Sequence, residues 1–268
     1  MIPDIFKLTF MQHAFAAGAM LSVVLAVISF FVVLRRLSFI GVGIAHSAFG
    51  GVALGALLGI SPTITAIVFA VAVSNAIGYI SSRGKLSADT AIGIFFSLAM
   101  ALGVIFIGLS KAYTIDLFGY LFGNILAITR QDLISIAVLG GLVLFSTFLL
   151  FKELLFVAFD REVAFVSGMS VNFLDHFLLS ILSLSVVISI KIVGIILVSA
   201  LLVIPGAAAM QLTKRYPLMI AASIAVSLVA TIGGLFISYY ADIASGATIV
   251  TLASVLFFGA FMIGRIRR

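Results

Sequence analysis

Nine apolar runs divide the chain: Ala14 to Leu34, Phe39 to Ile60, Ile64 to Ile80, Ala91 to Leu109, Leu133 to Phe151, Phe177 to Ile190, Ile192 to Met210, Leu218 to Tyr239 and Ile249 to Ile263. Most approach or exceed the roughly 20 residues a helix needs to cross about 30 Å of hydrocarbon. Polar residues gather between the runs. The pattern predicts an all-α fold, a polytopic membrane helical bundle in which residues 1–268 form a single integral domain. Two features leave the count at eight or nine spans. Phe177 to Ile190 is short, and the run after it is interrupted by Gly194, Pro205 and Gly206. Broken helices persist in membranes where protein or a cavity satisfies the freed backbone groups. The stretch Thr114 to Thr129 is apolar but short and contains Asp116, Gly119, Gly123 and Asn124. It reads as an outer interfacial or re-entrant helix.

Charge supplies the topology. Threading the runs alternately from an outside N-terminus puts Arg35, Arg36, Arg83, Lys85, Lys152, Arg161, Lys214, Arg215, Arg265, Arg267 and Arg268 on the inner side. Lys7, Lys111, Arg130 and Lys191 fall outside, and this asymmetry fits the positive-inside rule. The net charge of +6 therefore marks topology, and its dispersal as single residues and pairs excludes a nucleic-acid surface. With 64% hydrophobic and 9% charged residues, lipid and the chain's own helices must be its main solvent. No cysteine is present, so disulfides and thiolate metal sites are excluded and any metal must meet nitrogen or oxygen. Ala14 to Ala16 mimics a leader-cleavage triplet, but it precedes its apolar run, and the segment is expected to remain uncleaved.

Chemistry concentrates in few places. His46 is the one ionisable side chain inside a predicted span, and a buried imidazole needs a partner or a ligand. Gly43, Gly50, Gly51, Gly55 and Gly59 surround it, leaving one side of the helix nearly bare for close approach of another helix. His46 is therefore a candidate for offering nitrogen to a passing divalent cation. A structural bond to a neighbouring hydroxyl or carbonyl is the alternative. His13 lies near the outer end of the first span, placed to guard an entrance or to anchor a helix end. His176, after Asp175, reads as a solvated or capping residue at the inner edge. Between Lys152 and Asp175, apolar residues alternate with Asp160, Arg161 and Glu162, predicting a short amphipathic helix outside the bilayer core. Such a helix suits a membrane surface or a partner protein.

Catalytic and phosphate-binding motifs are absent. Ser47 beside His46 makes no hydrolytic dyad, because adjacent helical residues diverge by about 100°. All nine acidic residues fall at span ends or in loops, which weighs against an ion-coupled secondary transporter of a small solute, the alternative function. If the chain pumps, another chain supplies the energy.

Five segments in order, FVVLRRLSFIGVGIAHSAFGGVALG, SADTAIGIFFSLAMALGV, LFGNILAIT, AFDREVAFVSGMSV and VGIILVSALLVIPGAAA, give the chain a further reading. Together they resemble the membrane permeases of bacterial zinc and manganese ABC importers, the ABC-3 family, over almost the whole chain. The resemblance implies a multi-pass protein of the bacterial inner membrane that pairs with a second copy of itself. Its expected partners are cytoplasmic ATPase subunits and an extracytoplasmic metal-binding protein. It implies no bound cofactor and no catalysis by this chain, with zinc, or next manganese, as transported substrate. The segment from Asp160 to Ser170 would be the coupling helix in a groove of the ATPase, with Asp160, Arg161, Glu162, Val163, Ala164 and Gly168 as its coupling residues. In many relatives an Asp stands four residues before the intramembrane His, and the two form the metal site. Val42 holds that position here, which removes an anionic ligand and leaves His46 alone in each protomer. A nitrogen-led site leans towards zinc. Asn124, Asp116 and Ser199 are the remaining candidates for a second ligand.

Overall fold

A computed structural model describes residues 8–83, 86–110, 123 and 128–266. Eleven helices follow one another in this part of the chain: α1 (Thr9–Leu34), α2 (Ile40–Leu58), α3 (Pro62–Arg83), α4 (Ala88–Leu109), α5 (Arg130–Leu149), α6 (Phe151–Phe159), α7 (Arg161–Val166), α8 (Val171–Leu201), α9 (Ile204–Leu212), α10 (Tyr216–Ala241) and α11 (Ser245–Ile266). They supply nine segments long and apolar enough to span a membrane, and among the described residues there is no strand. The chain is an all-α, multi-pass membrane bundle. The outer segment expected between residues 114 and 129, with Asp116 and Asn124, lies outside the described residues except for Gly123, Ile128 and Thr129.

The short span is longer than its apolar run suggests. It begins at Val171 and yields a 20-residue membrane segment, Val171–Ile190. Asp175 and His176 interrupt the hydropathy but not the helix, because both side chains find partners at its inner end. The next break falls at Gly194, whose φ of 76° and ψ of 166° belong to a region open essentially to glycine alone.

Contacts on either side of Gly194 show that the chain turns back there. Before the break, Leu179 presses on Gly78 near the inner end of α3, and the Ser183 hydroxyl reaches Ala70 O, two turns further out, at 3.4 Å. After it, Leu202 lies against Gly41 at the inner end of α2, and Gln211 lies against Gly264 at the inner end of α11. The second segment, Val193–Leu212, is itself interrupted before Pro205, which opens α9, a position where its missing N–H costs nothing. The N–H of Gly206 in that first turn donates to Ser29 Oγ at 2.9 Å, so α1 supplies the cap that α9 lacks.

α1, α2 and the first part of α8 are the most enclosed spans, whereas α4, α5 and α11 bury few of their residues within the chain. A second polar seam joins α1 to α10, where Ser22 donates to Thr231 Oγ1 at 2.7 Å and Ser223 donates to Ala26 O at 3.0 Å. Hydrogen bonding between spans has no competing water there, although each such bond contributes only modestly.

Candidate functional site

α2 is held between α3 and α4 by its glycines. A Cβ on Gly51 would lie 2.7 Å from Ala66 Cα, and one on Gly50 would lie 2.7 Å from Ala99 O. Gly55 leaves no room before Thr65 and Pro62, while Gly59 closes α2 in the left-handed conformation with its N–H on Gly55 O. The bare ridge is thus filled by the next helix of the same chain.

His46 occupies the side of α2 that remains. It is half-buried, with its ring edge-to-face against Phe96 of α4 at a centroid distance of 4.9 Å. Its Nδ1 stands 3.0 Å from Val42 O. A carbonyl only accepts, so Nδ1 carries the proton, and a neutral ring presents Nε2 as a bare donor pair. That is the tautomer a metal-binding imidazole needs when its other nitrogen is held by a carbonyl. The lock comes from the backbone of residue 42, so it does not depend on the valine side chain that stands there. Below His46, a cleft of about 310 Å³ opens between α2 and α4, lined by Phe39, Val42, Gly43, Asp89, Ile92 and Phe96 among others. Asp89, in the first turn of α4, puts a carboxylate at its inner mouth. Ser199 donates to Ile195 O at 2.9 Å within its own helix. Among the described residues, no three His, Asp or Glu side chains converge as a metal site, so the chain offers His46 without a closed ligand set.

The other two histidines tie elements together. His13 Nδ1 donates to Ile128 O at 3.0 Å, joining the outer part of α1 to the chain just before α5. His176 Nδ1 faces Asn75 Oδ1 at 2.7 Å, and Asn75 Nδ2 donates to Val71 O at 2.8 Å and to Ser180 Oγ at 3.0 Å. The pattern at Asn75 makes His176 the donor and sets it in a bridge from α8 to α3, not the solvated or capping position expected.

Between Lys152 and Asp175 the structure has two short helices, α6 and α7. Six residues are too few to stand alone as a helix. α7 is closed at both ends: Asp160 Oδ1 accepts from Glu162 N at 3.1 Å and Val163 N at 2.9 Å, and Gly168 reverses the chain at φ 82°. The Met169 N–H reaching Ala164 O at 3.1 Å completes that terminal turn. Ala164 is fully buried and seats the helix. Phe165 and Val166 stand out, 72% and 85% exposed, and with Arg161 and Glu162 they flank a hollow of about 470 Å³.

The comparisons with known proteins bear on this arrangement. The model of the ABC 3 transport family matches residues 7–264. The chain belongs to the ABC 3 transport family. Its relatives include the manganese import system permease protein ScaB of Streptococcus gordonii, 41% identical over 95% of this chain and 91% of that one. The high-affinity zinc uptake system membrane protein ZnuB of Haemophilus influenzae is 34% identical over 91% of this chain and 94% of its own. A solved structure, PsaBC from Streptococcus pneumoniae in complex with Fab, superposes with a TM-score of 0.86 at 37% identity, covering 97% of this chain and 95% of the other. Sequence reasoning singled out His46 from its isolation in an apolar run. Phe96 and Asp89, the flank and the mouth of its cleft, carried no signal, since an aromatic in a span and an acid in a first helical turn are both ordinary.

Proposed function

We propose that this chain is the permease subunit of an ATP-driven importer for divalent metal ions and resides in the bacterial inner membrane. The observation that carries the reading is the posture of His46, an intramembrane imidazole whose Nδ1–H is spent on Val42 O. Nε2 then serves as a weak, neutral ligand that binds a passing cation and lets it go. Pairing of two protomers brings two such nitrogens towards one pathway, and the largely uncovered surface of α4 is available for that contact. The route runs from the outer end past His46 to the cleft, where the Asp89 carboxylate draws the cation inwards.

α7 is the site at which a cytoplasmic ATPase docks. Arg161, Glu162 and Val163 offer the polar and apolar contacts, Asp160 and Gly168 hold the helix closed, and Ala164 anchors it from beneath. An extracytoplasmic binding protein delivers the metal to the outer face, where His13 fixes the chain before α5. Imidazole without a carboxylate favours zinc. The manganese reading has its own support: several relatives named for manganese transport are 37–41% identical, against 34% for the zinc-uptake relative.

The test is uptake of zinc and of manganese into vesicles holding this chain with its ATPase and binding protein, wild type beside His46→Ala. ATP-dependent uptake that collapses in the variant while the ATPase still co-purifies is the expected result. Uptake indifferent to His46→Ala removes the residue from the pathway, and a wild type that moves neither ion refutes the importer reading.

A further inference from the structure

Asp175 joins three parts of the chain that sequence keeps far apart. Its Oδ1 contacts the guanidinium of Arg35, the residue that caps α1, and its Oδ2 lies 2.6 Å from Nη1 of Arg161, the first residue of α7. The Arg35 and Asp175 side chains are only 12% and 17% exposed, whereas Arg161 is 49% exposed. One carboxylate therefore holds a partly buried arginine with one oxygen and a surface arginine with the other. Each guanidinium is a rigid fork suited to carboxylate recognition.

What Arg35 belongs to gives the clamp its meaning. The residue leads into the corner between α1 and α2, where Arg36 adopts a left-handed φ of 56° and the Leu37 N–H returns to Val32 O at 2.8 Å. This hydrogen-bonded corner is stiff and delivers the chain directly into α2, the helix of His46. A cavity of about 320 Å³ beside the clamp, lined by Arg35, Ile40, Ser81, Leu86, Arg161 and Asp175 among others, leaves the arginine side chains space to shift. α8 itself does not depend on the clamp for its place, because His176 and Ser180 bind it to Asn75 of α3.

We infer that Asp175 is a positioning residue for transport, converting displacement of α7 into displacement of the α1–α2 corner and so of His46. The inference rests on the reading of α7 as the ATPase docking helix. Arg161 is the moving end, since it lies on the surface where the partner sits. Arg35 is the receiving end, less exposed than Arg161 and continuous with α2. Removing the carboxylate's charge leaves two guanidiniums facing each other, so the corner and α7 separate while each retains its own caps.

The test measures metal imported and ATP hydrolysed by the reconstituted complex, with co-purification of the ATPase as control. Asp175→Asn is expected to retain the ATPase and its hydrolysis but to lower metal moved per ATP by about tenfold, within the span typical of energetic coupling between sites. Asp175→Glu, which restores the charge, is expected to recover much of the ratio. Arg35→Gln gives an independent arm outside the docking helix α7, with the same expected fall in ratio. A role confined to folding would instead lower import and hydrolysis together and leave the ratio unchanged. Wild-type ratios in correctly assembled Asp175→Asn and Arg35→Gln overturn the clamp and leave the importer reading standing. A wild type without ATP-driven uptake overturns both.

Discussion

Replacing Gly51 by alanine adds one methyl group where α2 meets α3. The new Cβ would stand 2.7 Å from Ala66 Cα, 2.8 Å from Phe69 Cβ and 2.9 Å from Thr65 O. Unstrained carbon contacts lie at about 3.5–4.0 Å, so the two helices must part by about 1 Å. Two of the three obstacles are backbone atoms and the third is a Cβ, so no change of rotamer relieves the clash. Overpacking of this kind costs about 1–3 kcal/mol, and the rigid neighbours place it in the upper half of that range. The gain in helix propensity from glycine to alanine offsets about 1 kcal/mol. The net loss is about 1–2 kcal/mol, or about 2–8 °C in apparent melting temperature for a chain of this size. Gly93→Ala is the control, because a Cβ there meets nothing within 4 Å. Thermal unfolding of the purified proteins in detergent, read by loss of the monodisperse peak, compares the two. Gly51→Ala as stable as Gly93→Ala would refute the close-packing argument. Should both variants fall equally, the loss belongs to glycine removal in general and not to the α2–α3 contact.

Other variants separate the remaining forces. Gly194→Ala forces a Cβ into a backbone conformation costing about 1–3 kcal/mol, so reduced yield of folded protein and a lower unfolding temperature are expected; wild-type stability would contradict the strained break. Asp160→Ala removes the acceptor for two N–H groups of α7, at about 0.5–2 kcal/mol of local helix stability. Its expected result is faster amide exchange confined to α7 and weaker ATPase co-purification, with Asp160→Asn near wild type. Thr231→Val deletes one bond between α1 and α10 and should cost only about 0.6 kcal/mol, the average for such bonds in membranes; a loss as large as that of Gly51→Ala would reverse this ranking of packing over hydrogen bonding.

The spans were legible because lipid imposes a length and an apolarity that a single sequence displays directly. The boundary at Val171 was not, since Asp175 and His176 look like the end of a run until their partners are known. Arg35 stands 140 positions from Asp175, and each charge read alone serves as a topology marker. The glycines of α2 announced a close approach but not its partners, α3 and α4, because spacing identifies a bare surface and only the fold says what covers it. His46 stood out as the lone ionisable group in its span. Its tautomer depended on a hydrogen bond to Val42 O that no residue type signals.

At Gly194, backbone meets backbone. Gly123, with φ 68°, lies so close that a Cβ on it would collide with Val193 and with the nitrogen of Gly194. Neither glycine has a side chain to swing, so this contact has no rotamer to switch on the picosecond to nanosecond scale. It parts only when backbone moves against backbone, so opening there is a property of the fold and not of any single side chain.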